Sequence, residues 1–397
     1  PAIGEYSTYS AGRGYLLAGI ASPEILIPTV DGAMMRVADS LNMQITGGSM
    51  SIRTTGAMAM RIAGAATREM LQQAAAKSWG VPVNEIVTED SHLFHAATSR
   101  REPYASFAST IAEMTPSQTP SFKDPSEYKI VGTHKPRRDI PAKVDGSLKF
   151  ALDVRLPGML FASVVRSPVS GGSIVNVNDS AARAIEGVVD VIVIPESSVD
   201  SMLGATISGE AVAVVADSYW TANRALQELS VQWSETGFES VSSDDIFAQF
   251  DRDISSRRDR QTDRLEGEAD SVFSTAAKVI DADYHVPYLA HTCMEPLNAT
   301  ADVRNGRAEV WVGCQNPLGF RRDVANVLGL DEENVMLHNH AMGGGFGRKA
   351  RPDYAIQAAQ LAQAMGRPVQ LIWSREEDVR QDFYRPAAQS RFRAAFD

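Results

Sequence analysis

The run Ala341-Met342-Gly343-Gly344-Gly345-Phe346-Gly347-Arg348-Lys349 is the strongest chemical signal in this chain. Consecutive glycines let backbone N–H groups converge on an anionic or oxo ligand at close range, because no Cβ blocks the approach and positive φ is open to them. A merely tight glycine-rich turn reads the same on this stretch alone. A nucleotide-binding P-loop differs: it places four residues between its glycines and follows Gly-Lys with a hydroxyl residue that holds magnesium. Ala350 stands where that hydroxyl would be. A second candidate cradle is Thr46-Gly47-Gly48-Ser49-Met50-Ser51, which feeds a helical run from about Ala57 to Ser78. Hydroxyl and N–H groups at a helix start suit phosphate, although an ordinary Ser/Thr-capped helix has the same pattern.

Other groups are weaker when read singly. Gln315 brings a neutral amide donor to the end of a predicted strand, where a solvated loop glutamine is the plain alternative. Glu295, followed by Pro296, reads as a fixed hydrogen-bonding element rather than an acid catalyst. Cys293 and Cys314 are the only cysteines and sit in different contexts, whereas an iron–sulfur cluster needs four thiolates and a structural zinc site four Cys/His ligands. Any such cluster belongs on another chain, and these two read as small buried apolar residues.

The elements that must position these groups divide the 397 residues into parts. Residues 1–112 contain the Thr46–Ser51 patch and a helix with Met60, Ala63, Thr67, Leu71 and Ala74 on one face, stopped by Gly80. Residues 113–127 carry prolines and serines without periodicity and read as a linker. Residues 128–234 alternate short strands (Phe161–Val165, Val188–Ile194, Ala211–Val215) with helices, one of them Tyr219–Leu229 with Asp217 as its N-cap. Residues 235–268 are polar and charge-rich, a solvated connection. In 269–397 the pattern predicts a strand at Val279–Tyr284, a hairpin turning at Asn305-Gly306, helices Pro317–Leu328 and Asp353–Met365, and a strand Val369–Trp373. Gln389–Asp397 still alternates, so the chain is expected to stop inside a strand and leave a sheet edge exposed. The fold class is α+β.

Composition excludes some partners. With 38 basic and 49 acidic residues the net charge is −11, which opposes attraction to phosphate backbones and makes nucleic acid an unsuitable partner. No run reaches the roughly 18 to 20 apolar residues of a membrane helix, and no leader pattern is visible after Pro1. Localisation stays open.

The glycine run resembles the Gly-Gly-Gly-Phe-Gly-x-Lys motif of the xanthine-oxidase-type molybdenum hydroxylases, and further segments resemble that family in order. Val310-Trp311-Val312-Gly313-Cys314-Gln315-Asn316-Pro317 is similar to the segment that presents a glutamine to the metal's apical oxo group. Cys293-Met294-Glu295-Pro296-Leu297-Asn298-Ala299-Thr300 also matches. Trp373–Asp378 and Asp382-Phe383-Tyr384-Arg385-Pro386 resemble sequence lining the substrate funnel. Arg137–Gly146, Leu156–Leu160 and Val165–Pro168 are similar to the opening of the family's hammerhead domain. Thr46–Ser49 through Trp79-Gly80 resembles a cofactor-binding segment whose place before the hammerhead domain marks the isoquinoline 1-oxidoreductase and membrane-associated aldehyde dehydrogenase branch.

The resemblance implies a hammerhead-type α/β domain joined to molybdopterin-binding α+β domains, in a chain that is part of a subunit. It implies a molybdenum–pyranopterin cofactor in the cytosine dinucleotide form, with Gly47, Gly48, Ser49 and Ser51 near the pterin or its phosphates. Gln315, Gly343, Gly344, Gly345, Phe346 and Gly347 would lie at the metal, and Arg385 would hold or polarise the substrate. It further implies hydroxylation of an N-heteroaromatic ring or an aldehyde with water-derived oxygen, electrons leaving to a [2Fe-2S] partner subunit, with a cytochrome c as a further acceptor. Ala350 disfavours purines, which relatives meet with a carboxylate at that place. No Gly-Glu-rich segment resembling the family's catalytic base is present, so the rest of the molybdenum subunit is expected as a partner and the isolated chain is expected to be inactive. The branch points to the periplasm or its membrane face. Two rivals remain, a non-catalytic cofactor-carrying or assembly subunit and a nucleotide-dependent kinase or ligase.

Overall fold

The computed structural model describes residues 57–117, 119–200, 205–256, 261–264 and 266–396. They form two units: residues up to Leu148 together with Gln315–Gly319, and Lys149–Cys314 together with Phe320 onward. The Thr46–Ser51 patch, with Gly47, Gly48, Ser49 and Ser51, lies outside the described residues.

In the first unit, helix α1 (Ala57–Trp79) packs on an antiparallel sheet of β1 (Ile86–Glu89), β2 (His92–His95) and β3 (Arg100–Pro103). Leu71, Ala75 and Trp79 meet Ile86, Leu93 and Phe107, and the Trp79 and Phe107 rings meet edge to face at 5.9 Å. The expected helix face is only half right. Leu71 and Ala74 are buried, but Met60 and Thr67 are exposed and Ile62, Ala65 and Ala66 turn inward instead. Alanine supplies most small positions all round this helix, so its apolar stripe is weakly marked. Gly80, at φ +66°, ends it as expected.

The second unit is built on a seven-stranded sheet. In chain order its strands and longer helices are β4 (Leu160–Arg166), β5 (Ile174–Asn178), β6 (Val188–Ile194), β7 (Ser197–Val199), β8 (Thr206–Ser208), β9 (Ala211–Ala216), α2 (Tyr219–Leu226), β10 (Ser230–Trp233), α3 (Ser243–Ser256), β11 (Lys278–Val286), β12 (Asn298–Arg304), β13 (Arg307–Val312), α4 (Pro317–Leu328), β14 (Val335–Asn339), α5 (Asp353–Met365), β15 (Val369–Ile372) and β16 (Ala388–Phe396). The large sheet runs β14-β13-β12-β15-β4-β9-β6, parallel at β13/β14 and β15/β4 and antiparallel elsewhere. All six residues of β9 are buried, which explains why its run Ala-Val-Ala-Val-Val-Ala shows no polar alternation. The β12–β13 hairpin turns on Asn305 (φ +54°) and Gly306 (φ +72°), the left-handed pair that a two-residue turn of this hand needs. Helix α5 is buried along most of its length and packs on β12 and β15.

Two expectations change. Ser218, not Asp217, caps α2, its hydroxyl accepting the Thr221 N–H at 3.1 Å, and the helix stops at Leu226. Asp217 instead donates its N–H to the Gly187 carbonyl. The polar stretch 235–268 contains α3, whose Ile246, Phe247, Phe250 and Ile254 share a half-buried stripe among charges, with Phe247 stacked on His285 at 4.8 Å. Charge density hid that stripe. The expected open sheet edge is present among the described residues: β16 is paired along its length with β11, from Lys278↔Phe396 to Val286↔Ala388, in a sheet of these two strands, and its other edge is unpaired. Among the described residues no helix is long and apolar enough to cross a membrane.

Candidate functional site

The glycine run lies in the second unit between β14 and α5. Its start is fixed by the sheet: Ala341 forms a parallel bridge with Phe150, and Gly313, just after β13, sits so close that a Cβ there would stand 3.1 Å from the Ala341 carbonyl. Tyr354, wholly buried, donates its hydroxyl to the Gly313 carbonyl at 3.0 Å, and the Cys314 N–H donates to Asn339 Oδ1 at 3.1 Å. The ends of β13 and β14 are thereby held at the mouth of the loop.

Glu295 pins the loop itself. Its Oε2 accepts the Gly343 N–H at 2.9 Å and the Lys349 ammonium at 2.7 Å, while its own N–H donates to the Gly343 carbonyl at 3.0 Å. Burial pushes this carboxyl up, but Lys349 and the Gly343 N–H outweigh burial and hold it below its ordinary range. Glu295 is therefore an ionised clamp, in line with the fixed hydrogen-bonding role read from sequence. Cys293 donates its thiol to the Gly345 carbonyl at 3.5 Å, which also accepts the Arg348 N–H at 2.8 Å.

Arg348 closes the far end. It is fully buried, makes a two-pronged pair with Asp353 at 2.9 and 2.7 Å, and lies 3.1 Å through Nε from Asp382, close enough for ion pairing though off hydrogen-bond geometry. The Trp373 and Phe383 rings flank its guanidinium. Burial alone would lower its pKa, yet Asp353 and Asp382 raise it.

Between these anchors the backbone takes conformations suited to glycine, with Gly344 at φ +100° and Gly347 at φ +109°. A Cβ on Gly343 would lie 2.5 Å from the Glu295 Cβ. Phe346 adopts φ +52° and is 74% exposed. Among the described residues the N–H groups of Gly344, Gly345 and Phe346 make no hydrogen bond, although Gly345 is buried. Unmet donors beside a buried glycine suit an oxo or phosphate acceptor, so the donor set fits a molybdenum–pterin cofactor.

The remaining candidates fall in different places. Gln315 is buried and follows Cys314 directly, but belongs to the first unit with Asn316–Gly319. Arg385 is exposed, with its backbone paired to Leu289. Of the segments expected to line a funnel, Trp373 is instead buried in packing, its Nε1 donating to Gln357, and the Glu377, Asp378 and Asp382 carboxylates are buried against arginines and N–H groups. His291 is absent from the sequence candidates, and Arg348 and Asp382 stand there only within their segments, without a role of their own. The alternate spacing of His291, Cys293 and Glu295 is the signal that could have found the first.

Glu377 offers a test of this packing. Burial pushes its carboxyl up to about 7, against an opposing Arg380 at 3.6 Å and the Arg166 N–H. The folded state thus binds the proton more tightly than the unfolded chain, whose ordinary value is 4.5. Its contribution is complete below that ordinary value and drains away as pH rises through about 7. Glu377→Gln should flatten this part of the stability curve and leave the variant up to about 3 kcal/mol more stable at alkaline pH, measured by urea denaturation across pH. An unchanged wild-type pH slope in the variant would contradict the assignment.

Residues 145–237 match the family described as aldehyde oxidase and xanthine dehydrogenase, a/b hammerhead domain, and residues 254–397 match the molybdopterin cofactor-binding domain. The chain is 28% identical over 380 residues to the beta chain of isoquinoline 1-oxidoreductase from Brevundimonas diminuta, covering 85% of this chain and 46% of that one. It is 31% identical over 366 residues to the membrane-bound aldehyde dehydrogenase (pyrroloquinoline-quinone) of Gluconacetobacter polyoxogenes, covering 89% and 46%. A nicotinate dehydrogenase subunit from Pseudomonas putida is 30% identical over 376 residues, covering 91% and 30%. The chain spans less than half the length of these relatives. Among solved structures, the aldehyde oxidoreductase from Desulfovibrio desulfuricans shares the fold, with a TM-score of 0.53 over 70% of this chain and 34% of that one at 20% identity.

Proposed function

The chain belongs to the xanthine oxidase family of molybdenum hydroxylases, and from that premise we propose that it cradles a molybdenum–pterin cofactor in the oxidation of an N-heteroaromatic, isoquinoline-like substrate. A bound cofactor of this kind supplies two-electron oxidation of an electron-poor carbon with oxygen derived from water. The protein's part is placement. Glu295 and Arg348 hold the loop so that the Gly344, Gly345 and Phe346 N–H groups are set before the ligand arrives, which lowers the reorganisation needed on binding. Those unmet, preorganised donors are the observation that carries the reading. Gln315, a neutral amide, would add a donor to the cofactor's oxo group, and Gly47, Gly48, Ser49 and Ser51 would meet its pterin or phosphates.

In this reading the cofactor is the cytosine dinucleotide form, and electrons pass to a [2Fe-2S] subunit, with a cytochrome c as a further acceptor. The protein works together with these partners at the periplasmic face. The aldehyde dehydrogenase relative, at 31% identity, supports oxidation of aldehydes as a second reading. Arg385, exposed beside Leu289, would contact the substrate. Turnover of isoquinoline, nicotinate and a series of aldehydes with an artificial electron acceptor distinguishes the two readings. Arg385→Ala should lower kcat/KM for some of these substrates and spare others. A uniform loss across the panel would assign Arg385 to folding instead.

A further inference from the structure

The segment before β12 presents three side chains to the glycine loop at alternate positions. Glu295 meets Gly343, Cys293 meets Gly345, and His291 meets Gly347, its Nε2 lying 3.6 Å from where a Cβ would stand on that glycine. Between them Thr292 and Met294 are exposed. The loop itself engages the first two: the Glu295 carboxylate takes the Gly343 N–H, and the Cys293 thiol is given to the Gly345 carbonyl.

His291 differs. Its Nδ1 lies 3.1 and 3.0 Å from the two Asp382 oxygens, and a carboxylate offers no proton, so Nδ1 carries the hydrogen. In the neutral ring Nε2 is then the acceptor, and among the described residues nothing hydrogen-bonds to it. Asp382 is fixed from behind, taking the Phe383 N–H at 2.8 Å and lying against Arg348, which Asp353 clamps in turn. Nearby charges are already occupied: Lys349 with Glu295, and Arg375 with Asp378. The imidazole, 15% exposed, is therefore oriented rigidly toward the space over Gly347.

We propose that His291 is a positioning residue for the group bound at the glycine loop, Nε2 accepting a hydrogen bond from an N–H or O–H of that group. The inference rests on the reading that the loop holds the molybdenum–pterin cofactor. Loop N–H groups donate and Nε2 accepts, so together they complement a ligand edge with an oxygen acceptor beside a donor. A cofactor that carries an N–H or O–H beside an oxygen has such an edge, whereas a fully ionised phosphate has no donor for a neutral Nε2.

The test is molybdenum release from the purified holoprotein, with its native partner chains, followed by elemental analysis during dialysis. His291→Phe should release molybdenum about tenfold faster than wild type, the order of one lost hydrogen bond. His291→Gln carries an acceptor oxygen on a side chain of similar reach and should stay within about threefold of wild type. Thermal unfolding of both variants checks that the fold is kept. Equal retention in wild type and His291→Phe overturns the proposal and leaves the loop reading standing. Equal loss in both variants assigns His291 to packing and also overturns it. A wild-type protein holding no molybdenum removes the loop reading, and the proposal with it.

Discussion

Gly343→Val is expected to strip the protein of molybdenum while leaving the seven-stranded sheet folded. A Cβ at this position would stand 2.5 Å from the Glu295 Cβ and 3.3 Å from the Glu295 nitrogen. Glu295 cannot give way, because its carboxylate and backbone hold Gly343, Lys349 and, at 3.4 Å, the Leu152 N–H. The loop must therefore move, breaking both Glu295–Gly343 hydrogen bonds and turning the Gly344–Phe346 donors out of register. Donors held in place for a ligand lose that placement when the loop shifts. Molybdenum content of the purified variant should fall to background, with far-ultraviolet circular dichroism unchanged. Gly64→Ala, at a glycine with open space around its Cβ, should retain the metal and serves as the control. Full metal content in Gly343→Val would detach the loop from cofactor binding.

Glu295→Ala should be the most destabilising single change at the site. It leaves the Lys349 ammonium, 1% exposed, without its carboxylate, and removing one partner of a buried pair costs about 3–5 kcal/mol. The double variant Glu295→Ala with Lys349→Met removes the stranded charge and should recover about half of that loss or more. Urea denaturation of the two single variants and the double variant reads this coupling. Equal stability of Glu295→Ala and wild type would show that the pair is not the clamp. Because the folded Glu295 carboxyl sits below its ordinary value of 4.5, its stabilisation is present above that value and is lost as pH falls through the lower folded one.

Much of the architecture could be read where one physical signal dominated. The Asn305-Gly306 turn, the helix Pro317–Leu328 and the helix Asp353–Met365 closed by Gly366 follow from positive-φ residues flanking periodic runs. The glycine run and the clamp at Glu295 were also legible, since residue type limits what each can do. Helix α3 was not, because its four large apolar residues lie among acidic and basic ones that read as a solvated connection. The ion-pair chain Asp353–Arg348–Asp382–His291 was hidden for another reason. Its members come from the loop, α5 and two segments separated by 91 positions, and sequence spacing carries no trace of such contacts. Trp373 and Glu377 misled because aromatic and acidic residues suit a substrate channel as well as a packed interior.

The most direct measurement is combined elemental and cofactor analysis of the protein purified under non-denaturing conditions. Molybdenum in stoichiometric amount, together with a pterin that releases cytidine phosphate on hydrolysis, is the expected result. Bound adenine or guanine nucleotide with no molybdenum and no pterin would contradict it, and would make the glycine loop a nucleotide site after all.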